Sequence, residues 1–186
     1  QYAAEALNEI AYPANEEAIP AVLEAIRKDP EQNVRQRCVW SLFQLTDLER
    51  FGADKVLTEV LDDTLGIIKR RGVDQFTLRR LLVGYDAARA LAFSLQGRAP
   101  AQTADVLLHM LKNKSLFVYN GTDAQVQGGS SESSKVGSGV KARLGGDARY
   151  MAAQALGLLG EKASGRKDVL DALREAAKDS DARLRE

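Results

Sequence analysis

A pattern that returns four times in 186 residues leaves this chain few folds to choose from. A residue that is usually small, three positions and then a leucine recur inside apolar segments, as Ala3–Leu7, Cys38–Leu42, Leu91–Leu95 and Ala152–Leu156. Each is followed by Val-Leu, two positions and an aliphatic or methionine: Val22-Leu23 with Ile26, Val56-Leu57 with Val60, Val106-Leu107 with Met110, and Val169-Leu170 with Leu173. The step from marker leucine to marker valine is 15, 14, 11 and 13 residues in turn. Self-similarity at a period of a few tens of residues is the signature of a stacked-repeat architecture.

Each pass reads as two helices. Val34, Cys38, Leu42 and Leu45 fall on one helical stripe, and Ala148, Ala152, Leu156 and Leu159 repeat that spacing. In the second helix Ile19, Val22, Leu23 and Ile26 share a stripe, as do Ala104, Leu107, Leu108 and Leu111. Pro13, Gly52, Gly97 with Pro100, and Gly160 to Gly165 separate the helices. One such hairpin cannot bury both its faces, but a row of them shares a continuous core. The expected fold is therefore all-α: a right-handed α-solenoid of stacked hairpins. Its repeats lie at about 1–31, 32–84, 85–146 and 147–180, and a fifth begins at 181–186.

The helix openings carry a family resemblance. Asp147-Ala148-Arg149-Tyr150-Met151-Ala152-Ala153-Gln154-Ala155-Leu156-Gly157-Leu158-Leu159-Gly160 resembles the first helix of a bacterial HEAT-like repeat. Asn33-Val34-Arg35 and Asp181-Ala182-Arg183 open in the same way, whereas Asp86-Ala87-Ala88 has alanine in place of the arginine. The resemblance implies fold far more than activity, since such repeats serve assembly scaffolds, bilin lyases of light-harvesting proteins and DNA-repair glycosylases. In this reading Asn or Asp caps the helix, and the arginine forms a ladder to an acid of the neighbouring repeat.

Two insertions interrupt the register. The step from marker valine to the next marker leucine is 20 residues in the first repeat, 39 in the second and 50 in the third. The extra residues, at about 62–85 and 113–146, both fall between the second helix of one repeat and the first helix of the next. In a solenoid those connections share one edge, and insertions gathered there often form the binding face. The first continues helical periodicity through Leu65, Ile68, Phe76 and Leu78. The second reads as a β-hairpin, with Leu116 to Tyr119 and Thr122 to Val126 flanking Asn120-Gly121. A Gly/Ser-rich run from Gly128 to Gly146 follows.

Chemistry-bearing residues are sparse. His109 is the only histidine and sits in a helix among Leu107, Leu108 and Met110, so no metal cluster or general base is expected around it. Cys38, the only cysteine, stands on the core stripe. The Gly/Ser run contains no Gly-Lys-Ser/Thr phosphate loop. No catalytic residue, cofactor or metal is expected. The formal net charge is zero, which excludes an overall pull toward nucleic acid or an anionic membrane and leaves only a local patch. Arg70, Arg71, Arg79 and Arg80 make that patch, and Phe117 and Tyr119 are expected beside it at the root of the second insertion.

The sequence therefore points to a scaffold that binds a protein partner through one edge or the concave face of the solenoid, with these six residues at the contact. A nucleic-acid-binding module using the basic edge is the alternative, and a bilin-lyase-like enzyme the second. No membrane insertion is expected. A cytoplasmic location is expected, with the cell envelope as the alternative, and the chain reads as a fragment of a longer protein.

Overall fold

The computed structural model describes residues 16–43, 47–70, 75–113, 146–180 and 182–185. Apart from two 3₁₀ turns, at Glu16–Ala18 and Gln96–Arg98, the elements are α-helices. They are α1 (Ile19–Lys28), α2 (Gln32–Leu42), α3 (Ala53–Ile68), α4 (Gln75–Leu95), α5 (Ala101–Lys112), α6 (Gly146–Leu158), the short α7 (Glu161–Ser164), α8 (Lys167–Ala176) and α9 (Ala182–Arg185). No strand occurs among the described residues.

The helices pack as two layers. α2, α4, α6 and α9 form one row, each touching the next, and α1, α3, α5 and α8 form the other. One row holds the first helices of successive repeats and the other the second helices, so the chain is an all-α solenoid. The two most extensive pairings across the layers, α3 to α4 and α5 to α6, join a second helix to the first helix that follows it. The marker positions drive this packing. Cys38, Leu42, Leu91, Ala152 and Leu156 are buried in one row, and Val22, Val56, Val106 and Val169 in the other. Val22→Ala and Val169→Ala, at 1% and 0% exposed, should each cost about 2 kcal/mol, the loss of two buried methylene-sized groups plus a small cavity. Urea denaturation measures this, and a loss below about 0.5 kcal/mol would mean that these positions are not core.

The described residues of the 62–85 insertion, 62–70 and 75–85, are almost all helical. They lengthen the two helices around them. α3 has 16 residues and α4 has 21, against 10 to 13 in α1, α2, α5, α6 and α8. Ile67, Leu81 and Leu82 are buried, and Leu65, Ile68 and Leu78 pack against the core. The apolar period thus carries α3 a little more than one turn and α4 more than two turns beyond the neighbouring helices of their rows. The extended pair closes on itself at Gly84, whose missing side chain admits Thr64 of α3. Thr64 is 1% exposed, and its hydroxyl donates to the Val60 carbonyl at 2.7 Å.

The expected Asn cap at Asn33 is not how α2 starts. Asn33 lies inside α2, and the Asp29 carboxylate accepts the Glu31 N–H at 2.8 Å just ahead of the helix. The first helix expected at 1–10, the β-hairpin at 116–126 and the Gly/Ser stretch up to 145 lie outside the described residues.

Candidate interaction edge and the ladders behind it

Two edges of the stack differ in construction. On the edge where first helices turn into second helices, a cation of each repeat reaches back to the repeat before it. Arg50 pairs with Glu16 at 2.9 Å, Arg98 pairs with Glu49, and Lys162 Nζ donates to the Ala99 carbonyl at 2.5 Å. The second-helix row is laced in the same way. Arg27 grips Glu59 through two 2.7 Å bonds, and Arg166 bonds Asp105 at 2.5 Å. Asp168 pairs with the same Arg166, which holds its carboxyl low, at about 2. Exposed pairs of this sort contribute little each, but one per repeat favours a single stacking register.

The repeat arginines do something different from the expected ladder to a neighbour's acid. Arg35 Nε donates to the Ile26 carbonyl at 2.6 Å, and Arg149 Nε donates to the Leu111 carbonyl at 2.9 Å. Ile26 and Leu111 are equivalent stripe positions in the last turns of α1 and α5, where carbonyls lack helical partners. Arg149 also bonds Asp179 at 2.9 Å, an acid of its own repeat, with both side chains under 10% exposed. Where Ala88 replaces the arginine, a different polar knot ties α2 to α4. Asp86 accepts Gln36 Nε2 at 2.6 Å and Arg89 Nη1 at 3.1 Å, and Trp40 also bonds it. Burial pushes the Asp86 carboxyl up, against the pull of those donors. Sequence reasoning missed this knot, and its one visible signal was an aspartate set in the apolar run of α4.

The other edge carries the second-to-first connections, including both long ones. The tip of the α3–α4 hairpin stands there with exposed Lys69, Arg70 and Arg79. Lys69 and Arg70 follow the last turn of α3, where the helix dipole favours cations. Arg80 pairs with Asp63 and is half-buried, so its charge is committed to the hairpin. Among the described residues no ion pair joins Arg70 or Arg79 to an acid. Of the six residues expected at the contact, Arg70, Arg79 and Arg80 come together at this tip. Arg71, Phe117 and Tyr119 lie outside the described residues.

The remaining candidates are structural. Tyr85, 1% exposed, shares a 2.8 Å hydrogen bond with His109 Nδ1, which satisfies a phenol in the core between α4 and α5. Burial lowers the His109 pKa and raises that of Tyr85. Burial also pushes the Cys38 thiol up to about 11, so it is protonated and unreactive at neutral pH. No group of three or more metal-ligating side chains occurs among the described residues. No described helix is long and apolar enough to cross a membrane. A shallow, mostly apolar cleft of about 330 Å³ lies between α6, α7 and α8, lined by Leu156, Gly160, Leu170 and Leu173 among others.

Two layers of paired helices, tied once per repeat, define a helical-repeat protein. Residues 148–179 match the family model described as PBS lyase HEAT-like repeat, so the repeat formed by α6 to α8 is HEAT-like. That stretch holds the buried Ala148, Ala152, Leu156, Leu159 and Val169 together with the Arg149–Asp179 bond. No curated protein and no solved structure matches the chain.

Proposed function

We propose that the chain is a protein-interaction scaffold and that the basic tip of the α3–α4 hairpin is one of its contact points. The observation that carries this is the construction of the tip. Two helices are lengthened, α3 by a little more than one turn and α4 by more than two, and are locked together at Thr64 and Gly84. The result holds Lys69, Arg70 and Arg79 in solvent, on the edge from which the 114–145 connection also leaves. A flexible loop would present the same charges at greater entropic cost on binding, so a rigid hairpin suits recognition of an acidic partner surface.

Charge reversal tests it. Arg70→Glu/Arg79→Glu should keep the helical circular dichroism of the parent. It should also weaken capture of the partner proteins by about tenfold or more, with the parent's capture falling as salt rises. Partners retained in full by the double variant would remove the tip from the interface. Capture that disappears on nuclease treatment would instead favour the nucleic-acid reading.

A further inference from the structure

We draw no further inference here: the strongest candidate, the shallow apolar cleft of about 330 Å³ between α6, α7 and α8 that Leu156, Leu170 and Leu173 line, carries nothing because nothing in the structure shows what covers it.

Discussion

Replacing Gly84 by alanine should destabilise the protein by about 2–3 kcal/mol, and by valine by about 4 kcal/mol or more, although both sites of contact are ordinary helix interior. A Cβ at position 84 would lie 2.0 Å from Thr64 Oγ1, 2.5 Å from Cγ2 and 2.7 Å from Cβ. None of these atoms is the end of a flexible chain, because threonine is β-branched and its hydroxyl is bonded to the Val60 carbonyl. The two longest described helices would have to move apart, opening the layer beneath Ile67, Leu81 and Leu82. Helix propensity alone predicts the opposite sign, a gain of about 1 kcal/mol on going from glycine to alanine, so the sign of the measured change decides the matter. The melting temperature should fall by about 4–12 °C for the alanine variant in a chain of this length. Thr64→Gly removes all three clashing atoms, and Thr64→Gly/Gly84→Ala should recover to within about 1 kcal/mol of the parent, the two propensity effects nearly cancelling. Thr64→Ala should rescue Gly84→Ala only in part, because the Cβ at 2.7 Å remains. A neutral Gly84→Ala, or a double variant no better than the single, would show that the helices do not cross here.

Why Gly84 escapes sequence reading is instructive. A lone glycine inside a helical stripe reads as a weak point, and only its partner Thr64, 20 residues earlier, turns it into a contact. Spacing made the repeat legible, because buried positions must recur at helical intervals on each layer, as Cys38, Leu42, Ala152 and Leu156 do. The count of inserted residues was legible too, and so was their helical period through Leu65, Ile68 and Leu78. That they lengthen two existing helices follows from packing against the rest of the stack, which a period alone does not contain. The repeat arginine was legible as a recurring group but not by its target. Ile26 and Leu111 are bonded through backbone carbonyls, and a backbone acceptor leaves no mark in residue type. Half of the candidate contact, at Arg71, Phe117 and Tyr119, lies outside the described residues.

Arg149→Leu should cost about 3–5 kcal/mol, because it takes the paired cation from a buried carboxylate and leaves a helix end without its donor. One guanidinium joins three helices here. It starts from α6, reaches the Leu111 carbonyl in the last turn of α5 at 2.9 Å, and bonds Asp179 just past α8 at 2.9 Å. Its side chain is 9% exposed and that of Asp179 8%, so water cannot substitute for either partner. Lysine keeps the charge but not the planar fork that serves both acceptors, so Arg149→Lys should still lose about 1–2 kcal/mol. Asp179→Leu should cost as much as Arg149→Leu, for it leaves the arginine charge buried. Arg149→Leu/Asp179→Leu removes both charges together. It should therefore lose far less than the two singles combined, with a coupling of about 2 kcal/mol or more. The residual loss belongs to the Leu111 carbonyl, an unpaired acceptor worth roughly 1–3 kcal/mol. Urea denaturation of the four proteins supplies the cycle. Losses that simply add would mean that the arginine and the aspartate act separately, and that the bolt across α5, α6 and α8 is the backbone bond alone.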